Sequence, residues 1–297
     1  MLPAISNDSD YSAVIGNDAV WLPAVTTVCR RHDVPTTGLE REPPGTHVVY
    51  RSGPYVIKLF CPLWRDQAVA EVACLKGVQG LEIPKLVATG SLEGWEYIVM
   101  SVIEGVPAIR VWDSISHEDR LEVVGQLGEW IRSLHGSRAL PELKVDWDAF
   151  LVARRSGCER HHRMTGKWND WISERVSDFS ESSFEPVLLH SDFTNDHVFL
   201  TEQKGRWRIS GIIDFGDAMM GHPHYDFIAP LCFFTFGDPT LSRRLVESYG
   251  LKLTPELANR LTTYCLLHRY GTVGQFLGRK PVADGEAFHA ALWGTSE

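Results

Sequence analysis

Short apolar blocks and polar breaks alternate through the first hundred residues. His47–Arg51 (HVVYR) and Tyr55–Phe60 (YVIKLF) are rich in β-branched and aromatic residues and flank Ser52-Gly53-Pro54, a turn signal. That pattern predicts a hairpin. Lys85–Thr89 and Trp95–Met100 around Gly90–Gly94 predict a second one. Between them, Val69, Val72 and Leu75 recur at helical spacing, so Trp64–Val78 is predicted as a helix. Ala19–His32 is expected to be helical after its Pro23, with Arg30 and Arg31 suited to the last turn. The first hundred residues thus predict a small α+β unit.

From about Pro107 the period changes. Ser116-x-x-Asp119 has the form of a capping box, with Asp in place of Glu or Gln. It opens a helical stripe of Leu121, Val124, Leu127, Ile131 and Leu134 that ends at Gly136. Asp146–Phe179 holds further helical stretches, and the polar break Ser180–Glu185 precedes an apolar strand, Val187–Leu189. Ile209–Ile213 reads as another strand, and the tail from Leu241 is helix-like with interruptions at Gly271 and Gly274. The boundary between the two regions is expected near Ser101–Gly105, dividing the chain into 1–102 and 103–297.

Composition narrows the class. The chain has 297 residues, 44% hydrophobic and 23% charged, which is ample for a packed core. A net charge of −9 argues against nucleic-acid or anionic-membrane partners, which need clustered Lys and Arg. The basic, aromatic stretch Arg154–Trp171 is accordingly read as a solvated helix face with Trp168 and Trp171 turned inward. The six cysteines are scattered without C-x-x-C spacing, so buried reduced thiols are expected. No signal-peptide pattern opens the chain and no run of about 18 apolar residues occurs, which predicts a cytoplasmic location.

The chemistry concentrates in Leu188–Ala218. One short strand delivers His190-Ser191-Asp192, and a second delivers Asp214-Phe215-Gly216, 22 residues on from Asp192 to Asp214. Two carboxylates at strand ends with a hairpin between them can face one cleft. That arrangement suits phosphoryl transfer, in which one carboxylate accepts the proton of an attacking hydroxyl and the other holds a divalent cation.

The two loops resemble the H-x-D-x-x-x-x-N and I-D-F-G segments of the aminoglycoside phosphotransferase family, small-molecule kinases with a protein-kinase-like fold. The similarity runs over roughly residues 45–230. Val56-Ile57-Lys58 resembles a phosphate-gripping V-A-I-K lysine, with Glu71 placed 13 residues later on the next helix. Tyr97–Gly105 resembles the adenine-contacting hinge, and Gly221–Asp226 (GHPHYD) resembles the segment after the metal loop.

The resemblance implies an α+β bilobal fold, with a small N-lobe of antiparallel sheet plus helix and a mostly helical C-lobe. It implies Asp192 as catalytic base, Asp214 and His197 as metal ligands, and Lys58, Glu71 and the hinge residues Ser101, Val102 and Ile103 as nucleotide-binding. ATP or GTP with Mg²⁺, or Mn²⁺, would serve as cofactors. The acceptor would be a small-molecule hydroxyl, on an antibiotic of aminoglycoside or macrolide type. His190 would be structural, and Asp226 would brace the catalytic loop. Two departures stand out. Glu42–His47 (EPPGTH) takes the place of a glycine-rich loop, and His197 that of an Asn, a softer metal ligand for which Asn195 or a water is an alternative. Asp217 is either a supporting acid or an ordinary turn residue.

Two rival readings arise from the same residues. His190-x-Asp192 with a distal His268, placed in a helix over Leu261–Tyr270, and Arg279 imitates an iron and 2-oxoglutarate oxygenase triad. That chemistry requires a many-stranded β-helix. The altered loop and His197 also permit a kinase-like binding module without activity, against which the intact Lys58, Asp192 and Asp214 count.

Overall fold

Two helices lie ahead of the first sheet. α1 (Asp8–Val14) is capped by Asn7, whose side chain accepts from the Asp10 N–H. α2 (Asp18–Arg31) is capped by Asn17 and runs through Pro23 instead of beginning after it. Its first turn is anchored by Trp21, which is fully buried and packs edge-on against Trp95 at 5.1 Å. That burial outweighs the N–H that proline withholds from the helix. The computed structural model describes residues 1–43, 45–181, 183–269, 271 and 273–295, apart from the side chains of 159, 161, 276, 278 and 279.

β1 (Glu40–Arg41), β2 (Val48–Ser52), β3 (Tyr55–Phe60), then α3 (Arg65–Gly77), β4 (Leu86–Leu92) and β5 (Trp95–Ser101) come next along the chain. The strands form one antiparallel sheet in the order β1-β2-β3-β5-β4. Alternation divides its faces. Ile57, Leu59, Trp95, Tyr97 and Val99 pack with Trp21, Val25 and Val28 of α2 in one core. Phe60, Ile98 and Met100 point the other way, into the core that includes Ala68, Cys74 and Leu75 of α3. Lys58 lies on that second face, beside the cleft.

Beyond β5, a three-stranded sheet joins β6 (Val106–Pro107), β8 (Val198–Gln203) and β9 (Arg206–Ile212), and β7 (Val187–Leu189) pairs with β10 (Met219–Gly221). Gly105 enters β6 at φ +108°, where a Cβ would stand 2.3 Å from the Leu200 carbonyl oxygen. Only glycine fits there. The rest is helical: α4 (His117–His135), α5 (Trp147–His162), α6 (Lys167–Val176), α7 (Ile228–Phe233), α8 (Pro239–Tyr249), α9 (Pro255–Leu266), α10 (Val273–Arg279) and α11 (Gly285–Trp293). Ser116 caps α4 as expected, its oxygen accepting from the Asp119 N–H at 3.0 Å. Trp168 and Trp171 are half-buried against the larger core.

All six cysteines are buried reduced thiols. Cys29 and Cys61 belong to the core shared with α2, and Cys74, Cys158, Cys232 and Cys265 to the larger one. No helix among the described residues is long and apolar enough to cross a membrane. Among the described residues, sheets of five, three and two strands stand where an oxygenase requires a β-helix.

Candidate active site

β7 delivers His190, and Asp226 fastens the loop that leaves the strand. Asp226 accepts from the His190 N–H at 3.0 Å, from the Ser191 N–H at 2.7 Å and from His135 Nε2 at 3.0 Å. These bonds hold Ser191 at φ +69°, a left-handed backbone that costs a non-glycine residue roughly 1–3 kcal/mol unless its surroundings impose it. The brace expected of Asp226 is therefore visible as hydrogen bonds. His190 is fully buried between Phe193 and Phe215, with ring centroids 4.4 and 4.6 Å away. Its Nε2 donates to the Ile213 carbonyl at 3.0 Å and its Nδ1 accepts from the Asp192 N–H at 3.2 Å. Burial holds its pKa down at about 4, so the ring is neutral. Both nitrogens are engaged, which removes His190 as an iron ligand.

His268 stands beyond the end of α9 and not within it, its Nδ1 accepting from the Gly271 N–H at 2.7 Å and its ring stacked over Tyr225. Tyr270 and the Arg279 side chain lie outside the described residues.

β9 delivers Asp214, which also takes a left-handed backbone, φ +69°. That turn aims its Oδ1 at Lys58 Nζ, 2.9 Å away. The same ammonium lies 2.6 Å from Glu71 Oε2 on α3. Lys58 therefore bridges two carboxylates from opposite sides of the cleft. Burial opposes its charge, but Asp214 and Glu71 outweigh that and keep its pKa above the ordinary lysine range. Burial also raises the Asp214 carboxyl, yet the Lys58 and His197 charges prevail and hold it well below the usual carboxylate range. Burial pushes Glu71 up to about 7 against the pull of Lys58.

His197 lies between the two loop aspartates. Its Nδ1 is 2.9 Å from the Asp192 carbonyl oxygen and 3.3 Å from Asp192 Oδ2, while Nε2 faces Asp214 Oδ2 at 3.7 Å. Burial lowers its pKa and the two carboxylates raise it, with a net rise. Asp192 itself is pushed up to about 6, first by burial, with His197 pulling down and Asp217 and Asp214 adding to the rise. Asn195 is turned away, its buried amide donating to the Phe233 carbonyl at 3.5 Å.

At the hinge, the Ser101 N–H donates to the Lys85 carbonyl and the Val102 N–H to the Pro54 carbonyl, both at 2.9 Å. Ile103 reaches over β9 towards Gly211. Lys58, Glu71, Asp214, His197 and Asp192 thus form one connected cluster; Ser101 ends β5, whose Ile98 pairs with Lys58, and Val102 and Ile103 follow it. Sequence reasoning passed over Gln67, and placed His47 only as the end of the Glu42–His47 segment and the start of a predicted strand. Gln67 Oε1 lies 2.6 Å from His47 Nε2, and its Nε2 donates to Asp217 Oδ1 at 3.2 Å. The available signal was positional, since Gln67 precedes Glu71 by one helical turn.

The chain is similar to an aminoglycoside 3'-phosphotransferase from Escherichia coli, 27% identical over 198 residues that cover 63% of this chain and 70% of that protein. It is also similar to the lysine-specific demethylase JMJ21 of Arabidopsis thaliana, 24% identical over 66% of this chain, but it spans only 28% of that protein's length. Among solved structures, the GDP complex of wild-type aminoglycoside 2'-phosphotransferase-IIIa superposes with a TM-score of 0.69 at 17% identity. That match covers 82% of this chain and 87% of the other, and is a likeness of the protein-kinase-like fold. Residues 41–260 match the model of the phosphotransferase enzyme family, and the chain belongs to that family.

Proposed function

We propose that the protein transfers the γ-phosphoryl group of ATP or GTP to a hydroxyl of a small molecule, an antibiotic of the aminoglycoside or macrolide type. The observation that carries this reading is Lys58 held between Glu71 and Asp214, with Asp192 joined to the same Asp214 through His197. The nucleotide would lie between an N-lobe of residues 1–102 and a C-lobe of residues 103–297. Lys58 would grip the α- and β-phosphates, and the hinge backbone of Ser101, Val102 and Ile103 would meet the base. Because the Ser101 and Val102 N–H groups already have acceptors, Ile103 is the favoured hinge donor.

The donor set fits a hard divalent cation. Asp214 meets Lys58 through Oδ1 and His197 through Oδ2, and magnesium sites of this kind use one or two carboxylates with substrate phosphates. With a cation in place of its Nε2 proton, His197 would keep Nδ1 donating to the Asp192 carbonyl and offer Nε2 beside Asp214, the tautomer that a metal-bound imidazole adopts. Asp214 and His197 would hold Mg²⁺ or Mn²⁺. When bound, the cation would neutralise charge on the phosphate oxygens.

Asp192 orients the acceptor hydroxyl and receives its proton. The acceptor oxygen forms a bond to the γ-phosphorus as the bond to the bridging oxygen breaks, and the nucleoside diphosphate departs with that electron pair. Thermal melts with ATP or GTP and Mg²⁺ or Mn²⁺ test the reading. Nucleotide at 100 times its Kd stabilises by about 2.7 kcal/mol, and Asp214→Ala is expected to lose that shift. A metal-independent shift that Asp214→Ala retains would refute the metal assignment. Susceptibility of cells expressing the protein, measured across antibiotic classes, tests the acceptor.

A further inference from the structure

A run of hydrogen bonds crosses the cleft beside the Lys58 cluster. The Cys61 N–H donates to His47 Nδ1 at 3.4 Å, and His47 Nε2 donates to Gln67 Oε1 at 2.6 Å. Gln67 Nε2 then donates to Asp217 Oδ1 at 3.2 Å, and Arg269 Nη2 donates to the Asp217 carbonyl at 2.7 Å. These groups come from five places: the segment entering β2, the residue after β3, the first turn of α3, the loop after Asp214, and the chain beyond α9. Burial and the nearby Lys58 charge hold His47 down at about 3, so its ring is neutral and its donor and acceptor nitrogens are settled by their partners. The loop packs closely on α3 here: a Cβ at Gly216 would lie 3.4 Å from Gln67 Cβ, an ordinary contact, and 3.3 Å from Asp214 Oδ1.

We infer that Gln67 is a positioning residue for nucleotide binding, setting His47, at the entry to β2, and the Asp214–Asp217 loop at a fixed separation across the triphosphate. This rests on the phosphotransfer reading. Gln67 and Glu71 lie one turn apart on α3 and face the same loop, so the helix is pinned to it twice. One pin runs from Glu71 through Lys58 to Asp214, and the other from Gln67 to Asp217. A primary amide suits the second pin because it accepts on one side and donates on the other. A carboxylate in its place would still accept from His47 but would repel Asp217.

Calorimetric titration with Mg·ATP and Mg·GTP, alongside melting without nucleotide, tests the inference on the full chain. Gln67→Ala is expected to weaken nucleotide binding about threefold to tenfold, the range of one or two lost hydrogen bonds. Gln67→Glu is expected to weaken it at least as much. Adding Asp217→Asn to Gln67→Glu moves the carboxylate from one end of the bond to the other and restores a donor facing an acceptor. The double variant is therefore expected to bind nucleotide more tightly than Gln67→Glu alone. A packing role would make the two changes add instead, and additive losses would overturn the inference, as would a Gln67→Ala protein that binds like the wild type. If the wild type takes up neither nucleotide, the phosphotransfer reading itself fails.

Discussion

The Asp192 carboxyl is held between opposing influences. Burial and two neighbouring carboxylates favour its neutral form, while His197 favours the anion, leaving it raised to about 6. A general base works only when deprotonated, so turnover is expected to fall as pH drops through about 6 and to level off above it. A rate profile flat from pH 5 to 7 would argue against Asp192 as the base. Asp192→Ala is expected to abolish turnover while the melting temperature stays near wild type. At this scale the motifs made Asp192, Asp214, Lys58 and Glu71 legible, because strand ends and a helical turn fix where such side chains can reach. The left-handed backbones of Ser191 and Asp214 were not legible. Nothing in those residue types announces a positive φ, and tertiary hydrogen bonds impose it.

The elements were readable where one period dominates. The hairpin at Ser52–Pro54, the helix carrying Glu71 and the stripe on α4 all lie within a residue or two of expectation. α1 was missed because seven residues between polar breaks give no period, and its stability comes from an Asn7 cap and from Tyr11 packed against Trp21 and Trp64. The start of α2 was misjudged for a related reason, since the proline signal was local and the burial of Trp21 was not. At the junction after β5, Gly105→Ala would force both a left-handed backbone and a 2.3 Å contact with the Leu200 carbonyl. A loss of at least about 1–2 kcal/mol is expected in denaturant melts. An unchanged midpoint would mean that β6 shifts freely against β8.

Over the whole molecule, the antiparallel sheet separates two apolar cores, and strands β3 and β5 contribute side chains to both. The fold class was legible through the resemblance carried by the two aspartate loops and Lys58, whereas the N-terminal cover on the sheet was not, because it matches no motif. The six buried thiols make this architecture measurable in time. A shielded thiol reacts with an alkylating reagent only when its surroundings open, so each cysteine acts as a clock for its own neighbourhood. Cys29 and Cys61 time the opening of the sheet's outer cover, and Cys158, Cys232 and Cys265 time the helical region. Cys74 shares a core with the latter three but rides on α3. It is expected to keep time with Cys29 and Cys61 in labelling resolved by mass spectrometry, because its helix lies on the same sheet. Six equal rates would instead show that the chain opens only as one piece.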